Sequence, residues 1–518
     1  MSEPAAQAKP PTSLCDLSAA EICALLQRRE ISAHEAVEAH LRRIDDRDVA
    51  IKAFTRVFHQ QARDEADKPA RAPFYGLPIS IKENFDLAGE ATTMGMVGRT
   101  SNRASSDAAL VTLLREAGAI VLGRTNLSQL CLFPESRNPL FGQTANPWSA
   151  AHSPGGSSGG EAAAIAAGMS PLGLGTDIGG SIRVPAHFCG IAGLKPTLDR
   201  LPMRGIGAGI PGQEAVRAMC GPLARTARDL IFFMERIDPR RAAELDGRTP
   251  PLPFVAEHLP RGVRVGMLLE DGVISPSAAL QRAVRRAAEA LRARGCQIVP
   301  WQPPRARDAV FLQIAAMSAD GGARLRRELA GQPIDPVLVS LMRIARLPSL
   351  VRRGLSAALR DELPAATLRT LGRKPVEEFW RLTGEIRAWR FEVIEAMDRA
   401  EIDLVVSPPF ATPALPHFGA KQFVLAASPS MLWNIAQLPA GVVPVTRVRP
   451  DEARREQARG QLGKLAAAVD AKSAGLPVGA QIVGRPWAEA RVLAAMAAVE
   501  EEVRGEADFP RTPVAPVG

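Results

Sequence analysis

SPGGSSGGEAAAIAAGMSPLGLGTDIGGSIRVPAHFCGIAGLKPT, residues 153–197, is the stretch whose reading decides the fold. Glycine fills eleven of its forty-five positions, and Ser157, Ser158 and Ser181 stand among those glycines. Glycine carries no Cβ, so a backbone built from it reaches positive φ and lets several N–H groups converge on one point. A flexible linker is the plain alternative, but a linker has no use for the apolar residues 162–167 and 171–174. Two glycine-flanked serines, Ser157 and Ser181, joined by an alanine-rich segment therefore read as a pocket of backbone donors with a nucleophile in it.

Outward from that stretch, 518 residues can hold three average domains or one large α/β unit. Hydrophobic residues make up 46% and charged residues 23%, a globular balance that allows a sizeable core. Tyr75 is the single tyrosine, and with so few aromatics, stacking of nucleic-acid bases is excluded as a main use. The net charge of +9 is spread along the chain, which favours anionic surfaces such as lipid head groups without pointing to nucleic acid. Six cysteines without a CxxC pair read as thiols in a reducing compartment. Seven histidines without HxxxH or HExxH give no metal site, and no cofactor is expected. The first residues lack the apolar core of a signal peptide, and no run of about 18 apolar residues could span a bilayer. The expected location is the cytoplasm, with peripheral membrane contact.

Residues 1–12 read as a disordered tail, and 13–510 as one domain. Two helices follow the tail, each opening on a capping box, Ser18-x-x-Glu21 and Ser32-x-x-Glu35. Residues 75–86 begin as a buried strand with Lys82 at its end, where desolvation turns an amine into a neutral base. Residues 106–117 read as a helix, 119–122 as a strand, and 221–237 as a helix with Pro222 in its first turn. A proline-rich traverse, 239–260, separates two halves of the fold. Strand 263–268, helix 275–293 and strand 297–300 give the βα alternation of a mostly parallel sheet. Residues 310–330 form a helix broken near Asp320-Gly321-Gly322. Residues 337–374 alternate Val337, Leu338, Leu341, Met342, Leu350, Val351, Leu355 and Leu359 with Arg343, Arg346, Arg352, Arg353 and Arg360, split by Pro348. This is a basic amphipathic insertion, read either as a helical pair packed on its own domain or as a cap at a membrane surface or apolar-substrate entry, with Arg352 and Arg353 expected to meet the membrane. Helix 376–399, strand 402–407, a helix and strand in 431–445, a solvated stretch 449–464, strand 476–483 and helix 488–503 complete the chain.

Two hydrolytic arrangements compete for the serines. Gly155-Gly156-Ser157-Ser158-Gly159 satisfies GxSxG, but that elbow needs a strand before the serine and a later histidine. Pro154 precedes it, and His187, His258 and His417 lack a distinctive setting. The other arrangement uses a neutral Lys82 to take the proton of Ser157 as Ser157 takes that of Ser181. Ile178, Gly179, Gly180 and Ser181 then offer consecutive N–H groups to a tetrahedral oxyanion.

GGSSGGEAA…GLGTDIGGSIRVPAHFCGIAGLKPT closely resembles the amidase signature family. The resemblance implies an α/β fold with a large twisted mixed β-sheet surrounded by helices. It implies a Ser–Ser–Lys triad: Ser181 as nucleophile, Ser157 as bridging serine after a cis peptide, Lys82 as base. Thr176, Asp177 and Arg183 match the family's TDxGGSxR, with Asp177 and Arg183 expected to brace the loop. SRNPLFGQTANPW, SADGG, RLPS, LPAGVVPV and KSAGLPV resemble the fatty acid amide hydrolase branch of that family. On that likeness Cys131, Leu132, Phe133, Met317 and Ser318 line the acyl channel, with changed side chains, and 337–374 is a helical cap. The implied substrate is a small amide with an apolar or fatty acyl group, hydrolysed without metal or cofactor. A homodimer is among the implied partners and nucleic acid is not. Three other readings stay open: a short-chain or aryl amidase, the glutaminase subunit of a tRNA-dependent amidotransferase, and a non-catalytic lipid-binding module.

Overall fold

The structure, a computed structural model, describes residues 13–68, 71–421, 423–456 and 458–517. The expected tail, residues 1–12, lies outside them. Both capping boxes form: Ser18 and Glu21 cap helix Ala19–Gln27, and Ser32 and Glu35 cap helix Ala33–Ile51. The strands, in chain order, are β1 Phe54–Val57, β2 Pro78–Lys82, β3 Ile120–Thr125, β4 Arg137–Asn138, β5 Gly142–Gln143, β6 Leu172–Asp177, β7 Ala192–Lys195, β8 Met219–Ala224, β9 Arg264–Met267, β10 Gln297–Pro300, β11 Leu404–Ser407, β12 Ala440–Arg447 and β13 Pro477–Gly484. β4 and β5 pair with each other. The other eleven make one sheet in the order β1-β3-β2-β6-β8-β7-β12-β13-β11-β9-β10.

The mostly parallel arrangement suggested by residues 263–300 holds only locally. β9 runs parallel to β10 and β11, and β2 runs parallel to β3 and β6. Between these two groups every pair from β6 to β11 is antiparallel. The result is the mixed sheet wrapped by helices that the family resemblance implies. Side chains alternate between its faces with the period of a strand. In β11, Leu404 and Val406 enter the apolar core on one face while Val405 enters the core on the other, and β13 divides Ile482 from Val483 in the same way.

Several expected boundaries move. Residues 221–237 divide into strand β8 and helix Ala227–Glu235, which Thr226 caps by accepting from the Asp229 N–H. β7 pairs with β8 only at Leu223 and Ala224, so the strand is single-partnered at Pro222, a setting that tolerates a residue without an N–H. The traverse 239–260 starts with a short helix, Pro239–Leu245, because Asp238 accepts from the Arg240 and Arg241 N–H groups. Within 449–464, expected to be solvated, helix Gly460–Asp470 begins and Arg455 turns inward to Asp470 at 2.9 Å.

The insertion forms helices Pro336–Arg346, Ser349–Ala358 and Glu362–Thr370, broken near Pro348 as expected. Val337, Leu338 and Met342 are buried, whereas Leu350, Val351, Leu355 and Leu359 face outward, Leu350 with 77% of its surface exposed. Arg352 does not. It is 8% exposed and donates from Nη1 to the Leu347 carbonyl at 2.6 Å, so it struts the insertion from inside.

Candidate active site

The parallel trio β3-β2-β6 brings three strand ends to one edge, where open α/β sheets place their ligands. Lys82 ends β2 in register with Thr125 at the end of β3, and Thr176 and Asp177 end β6. Helix Gly159–Ala166, GGEAAAIA, lies wholly buried against them. It seats so close because β6 carries glycine where it passes. A Cβ on Gly173 would fall 1.9 Å from Glu161 Oε2, and one on Gly175 would fall 2.8 Å from Ser158 Oγ. Small residues on both elements thus press the start of that helix, Ser157-Ser158, onto Lys82.

Lys82 is fully buried, and its Nζ lies 2.7 Å from Ser157 Oγ, 2.9 Å from Ser158 Oγ and 2.8 Å from Thr176 Oγ1. Burial lowers its pKa, against the opposing pull of Cys131, Asp177 and Glu161. As an ammonium Lys82 donates to all three hydroxyls; as a neutral amine it has two N–H donors and one lone pair, and one of the three then gives it a hydrogen. Ser158 is committed elsewhere, donating to the Thr176 carbonyl at 3.3 Å. The Gly156–Ser157 peptide is cis, as the family resemblance implied.

Behind the amine, Glu161 accepts from Ser80 Oγ at 2.6 Å and Thr125 Oγ1 at 2.7 Å, and burial pushes its carboxyl up to about 8. Glu161, Ser80 and Thr125 were not expected from the sequence. The signal available was a single carboxyl inside an otherwise uncharged alanine-rich helix.

Ser181 stands just before helix Arg183–Cys189, on a loop folded around Asp177. Asp177 accepts from the Gly180 N–H at 2.8 Å, the Ile182 N–H at 3.0 Å, and Arg183 Nε and Nη2 at 3.0 and 2.9 Å. Burial alone would raise its carboxyl, but the Arg183 guanidinium holds it well below the carboxylate range. Arg183 spends its remaining donors on Ser430 O, Gln481 Oε1 and Asn434 Oδ1, so all five are satisfied without water. Asp177 and Arg183, expected to brace the loop, are hydrogen-bonded to each other and to its N–H groups, with Asn434 and Gln481 as partners that the sequence does not disclose. Thr176 touches Lys82 rather than the loop.

One expectation is corrected here. Gly180 was expected to contribute to the oxyanion donors, yet its N–H is already turned onto Asp177. Its φ of +110° and the 2.8 Å from a would-be Cβ to Ser430 Cβ make glycine necessary there for the turn itself. Among the described residues, the N–H groups of Ile178, Gly179 and Ser181 have no acceptor in the protein.

Two cavities meet at Ser181. One, about 240 Å³, is lined by Cys131, Leu132, Phe133, Met317 and Ser318, together with Ile314, Met431 and Leu341, Met342 and Leu371 from the insertion. The five expected channel residues are thus brought together on one wall system. The second, about 200 Å³, is more polar and is lined by Ser157, Thr176, Gly207, Gln213, Arg217 and Arg248, with Ser181 and Met317 shared. His187 plays no part in either cavity. It is buried, and its ring nitrogens engage the Thr412 carbonyl at 3.1 Å and the Gly479 N–H at 3.0 Å. His258 and His417 lie outside both cavities too.

Known proteins resemble the chain over most of its length. The family described as Amidase matches residues 35–493. The chain is similar to Fatty-acid amide hydrolase 1 of Sus scrofa, 39% identical over 444 residues, covering 83% of this chain and 76% of that protein. It is similar to Fatty acid amide hydrolase 1 of Caenorhabditis elegans, 32% identical over 500 residues, covering 93% and 87%. A solved fatty acid amide hydrolase superposes with a TM-score of 0.83 at 26% identity, covering 95% of this chain and 85% of that one.

Proposed function

The chain belongs to the amidase family and is an amide-hydrolysing serine hydrolase, and from that premise we propose that Lys82, Ser157 and Ser181 carry the reaction. The observation that carries this reading is a buried amine 2.7 Å from Ser157 Oγ, with Ser157 and Ser181 opening on the same cavity. Lys82 accepts the Ser157 hydroxyl proton as Ser157 accepts that of Ser181. Ser181 Oγ bonds to the amide carbon, and the carbonyl electrons move to oxygen. The N–H groups of Ile178, Gly179 and Ser181 receive that oxyanion, an arrangement in which one lost donor costs about 3 kcal/mol of barrier. The proton returns through Ser157 to nitrogen, the C–N bond breaks, and the amine leaves. Water then repeats the sequence on the acyl ester.

The substrate we infer is a fatty or otherwise apolar acyl amide. Support comes from the apolar lining of the larger cavity and from two relatives named fatty-acid amide hydrolases. The polar cavity on the other side of Ser181 suits the departing amine. The exposed leucines of the insertion, beside Arg353 and Arg360, suit peripheral contact with an anionic membrane. No helix among the described residues is long and apolar enough to cross one.

The test is a panel of long-chain primary amide, N-acylethanolamine, acetamide, benzamide and glutamine, given to the purified chain. Long acyl chains should exceed acetamide in kcat/KM at least tenfold, and Ser181→Ala and Lys82→Ala should each lower kcat by about 100- to 10,000-fold. A preference for acetamide or benzamide would replace the fatty acyl reading with the short-chain or aryl one. Glutamine as best substrate would favour the amidotransferase subunit. An active Lys82→Ala enzyme would remove the triad.

A further inference from the structure

We infer that Gln313 is a positioning residue for the oxyanion donors, an assignment that rests on the reading of Ser181 as nucleophile. Gln313 lies on helix Ala306–Met317, one turn before Met317, and is 2% exposed in the wall of the apolar cavity. Its Nε2 donates to the Ile178 carbonyl at 2.8 Å, and its Oε1 has no partner.

The peptides of the loop differ in what fixes them. The Gly179–Gly180 peptide is held by Asp177 through the Gly180 N–H. The Gly180–Ser181 peptide is held by the Val184 N–H, which reaches the Gly180 carbonyl at 2.7 Å. The Ser181–Ile182 peptide is held at both ends, by Ser158 N–H on the Ser181 carbonyl and by Asp177 on the Ile182 N–H. Among the described residues, the Ile178–Gly179 peptide has only Gln313. In a trans peptide the C=O and N–H point in opposite directions, so a donor that fixes the Ile178 carbonyl also fixes where the Gly179 N–H aims.

Among the described residues, no other hydrogen bond reaches that plane. Gly179 has no side chain, and a Cβ built there would meet nothing nearer than 3.6 Å, the nearest atom being Gln313 Nε2 itself. Two glycines in succession leave the peptide free to rotate once the tether is gone. Leaving a buried amide oxygen unpaired is unfavourable, so the side chain is there for its N–H end. The tether also comes from the helix whose Ile314 and Met317 line the acyl cavity, so the wall that meets the substrate and the donor that meets the oxyanion move as one.

Two variants test this, read on decanoyl p-nitroanilide. Gln313→Met keeps the volume and removes the donor. It should lower kcat roughly 100-fold, the size of a lost oxyanion donor, with KM within about threefold. Gln313→Glu keeps the shape and places an acceptor against the Ile178 carbonyl, except when the introduced carboxyl is protonated and can donate. Its kcat relative to the unmodified enzyme should therefore rise as pH falls from 8 to 5, a readout that a merely structural defect would not produce and that needs only the folded fraction. A Gln313→Met enzyme with unchanged kcat, or a Gln313→Glu ratio flat in pH, would overturn the inference. Ser181→Ala separates the two levels: if it stays active the nucleophile assignment fails, and if it is inactive while Gln313→Met is not, only this inference fails.

Discussion

Lys82 is charged or neutral according to the company the fold gives it. Its three hydrogen-bond partners are hydroxyls, the Asp177 carboxylate that pulls on it is engaged by Arg183, and Glu161 is pushed up to about 8 by burial. An ionised carboxylate there would stabilise the ammonium and silence the base. Glu161 thus stabilises the fold only while protonated. Its folded value lies above the ordinary 4.5, so the native state keeps a proton that the unfolded chain releases between about pH 4.5 and 8, and stability falls as pH rises through that window. Glu161→Gln should flatten that fall, seen as a smaller drop in Tm between pH 5 and pH 8; an unchanged drop would mean Glu161 is ionised in the fold. Lys82 and the serines were legible in the sequence because a lysine closing an apolar strand and serines among glycines are locally odd. Glu161, Gln313 and Asn434 were not, since their roles exist only through contacts with residues far along the chain.

Among elements, the insertion shows how periodicity misleads at the level of a single side chain. Its apolar and basic residues alternate as a membrane helix would, and that pattern predicts a helical pair broken near Pro348. The third helix, Glu362–Thr370, which Asp361 caps by accepting from the Leu363 N–H, does not follow from it. Nor does which arginine faces outward. Arg352 is consumed by the Leu347 carbonyl inside the insertion, while Leu350 and Leu355 stand exposed. The proposed membrane contact therefore rests on leucines, each worth about 1.5–3 kcal/mol if fully buried. Replacing Leu350 and Leu355 together by serine should cut co-sedimentation with phosphatidylglycerol vesicles severalfold. Hydrolysis of a water-soluble short-chain amide should stay as it was, because neither leucine lines the cavity. Equal sedimentation of the two proteins would remove the membrane proposal. β8 teaches the same lesson from the other side. Pro222 looked like a first-turn residue because helices start that way, and only the tertiary pairing with β6 makes it a strand.

At the scale of the whole molecule, the fold encloses several ionisable groups, and the signs of their shifts can be added. Burial raises Glu161 to about 8, Glu135 and Glu500 to about 7, and Asp48 and Asp470 to about 6. Each keeps a proton in the native state that the unfolded chain has lost above its ordinary value near 4, so each withdraws stability as pH rises from about 4 to its own folded value. Burial works the other way on His40 and His187, both lowered to about 4. The unfolded chain binds those two protons below about pH 6.5 and the native state does not, so they add stability as pH rises from 4 to 6.5. Five carboxyls against two imidazoles leave the native state holding more protons than the unfolded chain between about pH 5 and 7. Lys195, lowered to about 7 by burial, has the opposite sign above that value, because the native state then gives up a proton that the unfolded chain still holds. Stability should therefore be greatest on the acid side of neutrality, with Tm falling from pH 5 to pH 7 and levelling above it. Activity should run the opposite way across the same interval, since the reaction needs an unprotonated Lys82 whose pKa is depressed by burial. Melting curves and kcat measured on one preparation from pH 5 to pH 7 should cross, Tm descending while kcat climbs. A Tm that rises over that range would mean the buried carboxyls are ionised in the fold, Asp470 against Arg455 and Glu500 against Arg504.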